Sequence, residues 1–280
     1  MSTELFTILV FVTSLAAGLL GSLTGLGGGG IIIPILVLLM GVDMRYAIGA
    51  SLIAVIATSS GAAAAFVREG FTNVRLAMLL EVATVGGAII GALLAAHVPV
   101  QALTILLGLV MLWTAWQSRS APPPVPPDVP ADPLATRLRL DSTYPSRAGD
   151  GTSTLKPYHV RNVPGGFAMM TLAGVLSALV GVGGGILKVA AMDRMMRVPF
   201  KVSTTTSNFM IGVTAAASAG VYLHRGQIDP RIATPVALGA LGGSLIGARL
   251  LPHIKTKGLR IIFAVVVAVL GVQMIIKGVR

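Results

Sequence analysis

Long apolar runs, separated by short gaps that hold most of the basic residues, dominate this chain of 280 residues. A helix needs about 20 apolar residues to cross the hydrocarbon core of a bilayer, and several of the runs reach that length. The runs cover approximately residues 5–26, 31–42, 46–67, 76–96 and 103–116, and then 166–182, 186–196, 202–223, 232–251 and 259–276. We therefore predict an all-α, polytopic membrane protein that is surrounded by the lipid bilayer.

The composition supports this prediction and excludes several kinds of function. Charged residues make up 11% of the chain, which is less than half of the share in soluble proteins, roughly a quarter. A net charge of +11 would suggest nucleic-acid binding in a soluble protein. Here the basic residues lie between apolar runs, where they orient membrane helices, so we expect no nucleic-acid partner. The chain has no cysteine, which excludes disulfides, thiolate zinc sites and iron–sulfur clusters, and we expect no cofactor.

Residues 119–165 differ in composition from the rest of the chain. They include the proline-rich stretch APPPVPPDVPADP, which is followed by charged, serine- and threonine-rich sequence. Such a segment cannot bury enough apolar surface to fold alone, so we predict a solvated, cytoplasmic linker. It separates a first transmembrane repeat, residues 1–118, from a second, residues 166–280.

The two halves are related by an internal repeat. Sliding the sequence on itself by 156 residues aligns residues 17–116 with residues 173–272 without a gap, and GGAIIGALLAAH then meets GGSLIGARLLPH. With about five membrane segments in each half, an odd number, the second half is inverted relative to the first. The positive-inside rule favours this arrangement with both termini outside, because the strongly basic gaps then lie in the cytoplasm.

Each half contains a glycine cluster, GLGGGG at residues 25–30 and GVGGG at residues 181–185. Glycine costs nearly 1 kcal/mol relative to alanine in a helix, so each cluster should break a helix inside the membrane. Broken backbone at that depth persists only where it lines a cavity or is buried by protein. The half-helices that begin at Ile31 and Ile186 would each present free N–H groups and a partial positive charge, which together form an anion site.

We predict that these two helix ends meet near the midplane and bind a small anion. The alternative is that the glycines only allow helices to pack closely. The candidate binding glycines are Gly25, Gly27, Gly28, Gly29 and Gly30 in the first cluster and Gly181, Gly183, Gly184 and Gly185 in the second.

Hydroxyl and amide side chains within the apolar runs are further candidate ligands, because they can hydrogen-bond a desolvated oxyanion without adding charge. The alternative is that they cap helix starts or bond neighbouring helices. In the repeat, Ser51 corresponds to Ser207 and Thr58 to Thr214. The candidates are Ser51, Thr58, Ser207, Asn208 and Thr214.

Two ionisable residues lie inside predicted spans, where such groups are candidates for function. Lys188 follows the second glycine cluster, and we predict that its amine adds a full charge to the helix end. The alternative is a lysine that extends outward to the lipid headgroups. Glu81 is a candidate for proton coupling, and its alternative is an interfacial position near Arg75.

The duplicated glycine clusters, the GGAIIGALLAAHVP and GGSLIGARLLPHI segments and the hydrophilic centre resemble the sulfite exporter TauE/SafE family of membrane permeases. The resemblance covers nearly the whole chain apart from the linker. It implies export or permeation of small sulfur-containing anions, such as sulfite, sulfoacetate or other organosulfonates, across the bacterial inner membrane. It also points to the two glycine clusters as the core motifs. The linker is longer than the family's usual loop, which leaves a regulatory or partner-binding role open.

We therefore expect a multi-pass inner-membrane transporter that moves a small oxyanion by alternating access. The chain has no HExxH and no GxSxG motif, so we do not expect an enzyme. The dinucleotide motif GxGxxG is matched by Gly25, Gly27 and Gly30. No predicted strand precedes it, and the second copy has Ile186 at the last position, so we do not predict dinucleotide binding. An anion channel, an intramembrane enzyme and a structural membrane subunit remain the alternatives, and the oligomeric state stays unknown.

Overall fold

Eleven helices and one short hairpin form the parts of the chain that the computed structural model describes, which are residues 3–24, 28–68, 71–117, 132–147, 153–250 and 256–279. The helices are α1 (Thr3–Thr24), α2 (Gly29–Pro34), α3 (Met44–Arg68), α4 (Val74–Leu94), α5 (Val100–Gln117), α6 (Pro133–Arg137), α7 (Val163–Val180), α8 (Gly185–Ala190), α9 (Phe200–His224), α10 (Pro230–Leu250) and α11 (Thr256–Val279). Strands β1 (Ser142–Arg147) and β2 (Ser153–Tyr158) pair antiparallel, with Ser142 opposite Tyr158. The helices α2 and α8 each continue as one π-helical turn, Ile35–Leu39 and Ala191–Met195.

The helices have the length and the surface of a membrane protein. Within the described residues, four stretches are long and apolar enough to cross a bilayer: Glu4–Ser22, Val74–Leu94, Val100–Gln117 and Val163–Val180. Their outward faces are apolar as well, because Met78 and Val82 on α4 are 61% and 68% exposed. The exposure of large apolar side chains along whole helices is unfavourable in water, whereas lipid solvates them. The predicted all-α, polytopic membrane fold is confirmed.

The internal repeat is visible in the element boundaries. Helices α2, α3 and α4 begin and end 156 residues before α8, α9 and α10, and the two π-helical turns show the same offset. Packing follows the repeat too, since α1 lies along α10 and α7 lies along α4, while α3 packs on α9 and α5 on α11. Each half therefore places its first helix on the fourth helix of the other half. The inverted orientation of the halves in the membrane stays a prediction.

Glycines set the close approach of these crossed pairs. A Cβ atom at Gly87 or Gly91 on α4 would overlap a backbone carbonyl oxygen of α7, and one at Gly243 on α10 would overlap a carbonyl oxygen of α1. Gly86 and Gly242, which precede Gly87 and Gly243, face open space instead. These contacts support close packing as the role of one helix face, in which small residues let backbones meet.

Part of the linker is folded, and in this the structure differs from the prediction of a fully solvated segment. Ala135, Leu140, Tyr158 and Val160 are buried in a cluster with apolar side chains of α4, α7 and α9. The segment is ordered because it docks on the ends of membrane helices, and it does not need to bury enough surface of its own. Residues 118–131, with most of the proline-rich stretch, lie outside the described residues.

Asn73 joins the linker to the membrane helices. Its side-chain oxygen caps α4 by accepting from the Leu76 N–H, and its Nδ2 donates to the Leu140 carbonyl and to the Tyr158 hydroxyl, both at 2.8 Å. Its backbone N–H donates to Thr206 Oγ1 on α9 at 3.1 Å. Burial raises the pKa of the Tyr158 hydroxyl, which keeps it protonated. One residue thus holds α4, α9 and the hairpin in a fixed relation.

Two basic side chains cap helix ends on the side that the charge pattern predicts to be outside. The Arg225 Nη1 donates to the Ala92 carbonyl near the end of α4 at 2.7 Å, and Lys277 Nζ donates to the Val37 carbonyl at 2.7 Å. The carboxyl end of a helix carries a partial negative charge that attracts cations. These charges are therefore used within the fold, which would account for basic residues on the predicted outer side, where the positive-inside rule expects few.

Candidate functional site

Each glycine cluster lies where one described helix ends and the next begins. In the second cluster Gly181, Gly183 and Gly184 have φ angles of +70°, +78° and +66°, a left-handed backbone that separates α7 from α8. In the first cluster α1 ends at Thr24 and α2 begins at Gly29. The short helices therefore start two residues and one residue earlier than the predicted Ile31 and Ile186. Gly25 and Gly27, which we predicted as binding glycines, lie outside the described residues.

The two clusters lie against each other, and Ser51 is placed between them. Its hydroxyl can donate to the Gly181 carbonyl at 2.8 Å or to the Gly29 carbonyl at 3.2 Å. A Cβ atom at Gly29 would be 3.0 Å from the Gly181 oxygen, so the first cluster packs directly on the second. Ser207, the repeat equivalent of Ser51, donates to the Gly185 carbonyl at 3.1 Å. Both serine hydroxyls are thus bonded to backbone at a helix break.

The remaining hydroxyl and amide candidates lie on α3 and α9, in the packed centre of the protein. Thr58 is buried on α3, and its hydroxyl donates to the Val55 carbonyl at 3.2 Å. Asn208 is buried on α9, one residue after Ser207. Gly30 is in the first turn of α2, where a Cβ atom would lie 3.4 Å from the side chain of Val182. Their role as ligands stays a prediction.

A small cleft opens at the start of α8. It is lined by Thr114, Ser177, Gly184, Gly185 and Leu187, together with apolar residues of α5 and α7. The cleft is small, with a volume of about 20 Å³.

Hydrogen-bond donors converge on this cleft. Gly184 precedes α8 without a side-chain cap, and the first N–H groups of a helix have no partner within the helix. Ser177 is 2% exposed, and its hydroxyl has no hydrogen-bond partner among the described residues. A Cβ atom at Gly184 would lie 2.9 Å from the Ser177 Cβ, so the hydroxyl and the helix start are neighbours. Backbone N–H groups beside a free hydroxyl suit the oxygens of a small anion.

Ser177 was missed by the sequence analysis. It is one serine in an apolar run, and its lack of a partner follows only from how α7 packs. The signal that could have found it is the repeat, because the equivalent position in the first half is Gly21. A hydroxyl that appears in one half only, four residues before a glycine cluster, distinguishes the second helix break from the first.

Lys188 points into the protein, so the alternative of a lysine that extends to the headgroups is wrong. Its side chain is fully buried, and its Nζ donates to Thr214 Oγ1 on α9 at 2.5 Å. The Thr214 hydroxyl in turn can donate to Glu81 Oε1 on α4 at 2.7 Å or to the Met210 carbonyl at 3.0 Å. The structure thus connects a predicted cation, a predicted hydroxyl ligand and the coupling candidate in one group.

Glu81 faces this group and not Arg75, in contrast to the interfacial alternative. Its Oε1 is bonded to Thr214, and its charge attracts that of Lys188. Its Oε2 is buried and has no hydrogen-bond partner among the described residues. A buried carboxylate oxygen without a donor is costly, so it marks a place where a proton or another donor can bind.

The comparisons with known proteins agree with this architecture. The family model described as "Sulfite exporter TauE/SafE" matches residues 10–274. The probable membrane transporter protein YunE of Bacillus subtilis (strain 168) is 27% identical over 283 residues, which is 98% of each chain. The probable membrane transporter protein YdhB of the same strain is 25% identical over 254 residues, 89% of this chain and 94% of that protein. No solved structure is significantly similar to the chain.

The family match extends from the first membrane helix to the last and includes both glycine clusters and the Lys188–Glu81 group. The two relatives span nearly the same length, so the match includes the linker region. The chain therefore belongs to the sulfite exporter TauE/SafE family of membrane transporters.

Proposed function

We propose that this membrane transporter moves small sulfur-containing oxyanions, such as sulfite, sulfoacetate or other organosulfonates, across the bacterial inner membrane by alternating access. The family's description supports sulfite as one cargo, and the two Bacillus relatives are named as membrane transporters. A multi-pass helical fold and relatives in a bacterium support the inner membrane as the location. Neither the family's description nor the relatives' names distinguish sulfite from an organosulfonate. Flux measurements with both anions make that distinction.

The observation that carries the proposal is the unpartnered Ser177 hydroxyl beside the uncapped start of α8. Sulfite and sulfonate groups each present three oxygens arranged around sulfur, and each oxygen accepts hydrogen bonds. A hydroxyl donor and two or three backbone N–H donors at a positive helix end match that arrangement. The left-handed backbone at residue 184 favours glycine, and glycine places no side-chain atoms in this space.

The small size of the cleft supports alternating access over a permanently open pore. We propose that the cleft widens when the anion is loaded. The Ser51 hydroxyl lies within hydrogen-bond reach of a carbonyl in each glycine cluster and can donate to one at a time, so this bond can change partner as the halves move. We propose that movement between the interlocked halves opens the cleft to one side of the membrane and then to the other.

Flux in proteoliposomes tests the proposed function. The purified full chain is reconstituted, and uptake of radiolabelled sulfite and of radiolabelled methanesulfonate is measured against concentration. A transporter gives saturable uptake and counterflow, whereas a channel gives flux that neither saturates nor shows counterflow. An enzyme would convert the anion without net flux, and a structural subunit would show neither activity. The absence of saturable flux for both anions would refute the proposal.

The variant Ser177→Ala tests the position of the site. Loss of one hydrogen bond to a charged ligand costs about 1.5 kcal/mol or more, so the half-saturation concentration should rise about tenfold. Ser22→Ala is the matched control, because Ser22 is a buried serine on α1 whose hydroxyl, among the described residues, donates to the Leu19 carbonyl of its own helix. Its half-saturation concentration should stay at the wild-type value. Equal values for both variants would place the anion elsewhere.

A further inference from the structure

Opposite charges from the two halves meet inside the membrane region. Glu81 comes from α4 of the first half and Lys188 from α8 of the second, and the Thr214 hydroxyl on α9 lies between them. In the repeat, Lys188 corresponds to Ile32 of the first half, and Glu81 corresponds to Ala237 of the second half. The two charged residues of this group therefore have apolar equivalents in the other half of the repeat.

No other ionisable group takes the place of either partner within the described packing. Helix α7, which packs on both α4 and α8, has no ionisable residue between Val163 and Val180. Arg75 on α4 lies six residues before Glu81, about 9 Å along the helix axis. The other charged groups on the packed elements lie near the ends of α9 or in the π-helical turn after α8. They are Lys201, His224, Asp193 and Arg194.

We propose that Glu81 and the bound anion alternate as the counter-charge of Lys188, so that the protein carries one proton with each monovalent anion. This inference rests on the proposed function, because it assigns a coupling ion to the same site. Gly185 and Leu187 of the helix that holds Lys188 line the cleft. An anion in the cleft is therefore bound at the start of the helix that carries the ammonium group.

The charges balance in both states of the site. In the empty state the carboxylate of Glu81 compensates the ammonium of Lys188 across the Thr214 hydroxyl that lies between them. A proton from the aqueous phase then bonds to Glu81 Oε2, the oxygen without a partner, and the carboxyl becomes neutral while Oε1 keeps its bond to Thr214. The anion enters and compensates Lys188. The group is neutral before and after loading, which makes its passage through the membrane less costly.

Linkage sets the sign of the pH dependence. Because the proton frees Lys188 for the anion, the anion must favour the protonated form of Glu81 by the same factor. Anion affinity therefore falls as the pH rises. For a monovalent anion, transport with one proton moves no net charge, so a pH gradient drives it and a membrane potential does not.

Methanesulfonate is the probe for this inference, because it stays ionised at every pH used and any pH effect then belongs to the protein. Proteoliposomes that contain the full chain are given an acidic exterior with the membrane potential held at zero. We expect the wild-type protein to accumulate methanesulfonate and to carry about one proton per anion, measured with a trapped pH indicator. A proton count of zero, or uptake that ignores the pH gradient, would overturn the inference even if no variant folds.

The variant Glu81→Gln should convert electroneutral transport to electrogenic transport. Uptake driven by the pH gradient should fall at least about tenfold, while an interior-positive potential should now drive uptake. Asp193→Asn is the matched control, since Asp193 is another buried carboxyl residue and lies outside the proposed group. It should keep the wild-type response. A Glu81→Gln protein that still follows the pH gradient would overturn the inference.

Failure of the proposed function gives a different result. If the wild-type protein shows no saturable methanesulfonate or sulfite flux, the proposed function fails and the inference that rests on it fails too. If flux is saturable but carries no proton, only the coupling inference fails. Lys188→Met, compared with Ile32→Met at the equivalent position, should raise the half-saturation concentration about tenfold. Ile32→Met should leave it unchanged.

Discussion

The Lys188–Glu81 group predicts that its two charged side chains stabilise the fold only as a pair. Lys188 is fully buried, so Glu81→Gln leaves a buried ammonium without its counter-charge. Removing one partner of a buried ion pair typically costs about 3 kcal/mol or more in the free energy of unfolding. We expect a comparable cost here, where the Thr214 hydroxyl bridges the two charged groups. Lys188→Met leaves the Glu81 carboxylate without a counter-charge and with hydroxyl partners such as Thr214, and we expect a cost of similar size. The double variant replaces both charges, and it should cost no more than either single variant.

The coupling free energy that follows is about 3 kcal/mol, at the upper end of what contacting residues show. It is measured by reversible unfolding of the purified protein in micelles with a denaturing detergent, followed by helical circular dichroism. Ile32→Met controls for the volume and flexibility of methionine at the equivalent buried position. Single-variant costs that add up in the double variant to within about 0.5 kcal/mol would refute the pairing.

Two further predictions concern topology and the helix breaks. Alkaline phosphatase fused within the linker, residues 119–164, should be inactive because the linker is cytoplasmic; activity there would contradict the inverted arrangement of five segments in each half. Gly184→Ala should lower the free energy of unfolding by about 1–2 kcal/mol more than Gly28→Ala, because alanine is strained at the Gly184 φ of +66° and not at the Gly28 φ of −70°. The same detergent titration measures both, and equal costs would mean that the left-handed backbone of Gly184 is not required.

The fold was largely predictable because its signals are local. Span lengths follow from runs of apolar residues, and helix breaks follow from the low helix propensity of consecutive glycines. The 156-residue repeat predicted which elements correspond, and the boundaries of α2 to α4 and α8 to α10 follow it without an offset. The linker was predicted less well, because Leu140 and Tyr158 dock on apolar residues of other segments, and composition within the linker cannot show them.

The site was only partly predictable, because its key contacts join different halves. Lys188 and Glu81 each looked isolated, since the repeat aligns them with Ile32 and Ala237. They meet because α4 packs on α9 and α9 on α8, a contact between halves that no local pattern encodes. The sequence indicated Thr214 as a possible ligand of the anion. In the structure its hydroxyl is hydrogen-bonded to Lys188 Nζ and to Glu81 Oε1.

The difference between the two helix breaks explains how a duplicated scaffold can hold a single charged site. Both halves keep the features that the crossed packing requires, such as Gly18 against Ala240 on one side and Gly174 against Thr84 on the other. A larger residue at Gly18 would separate α1 from α10, and one at Gly174 would separate α7 from α4. The positions of Lys188 and Glu81 differ between the halves, since Ile32 and Ala237 occupy them in the counterpart. A second copy of the pair would add two more buried charges at a cost of about 2.5 kcal/mol or more each before compensation. One charged group in an otherwise apolar scaffold gives a counter-charge for one anion at the lowest cost in stability.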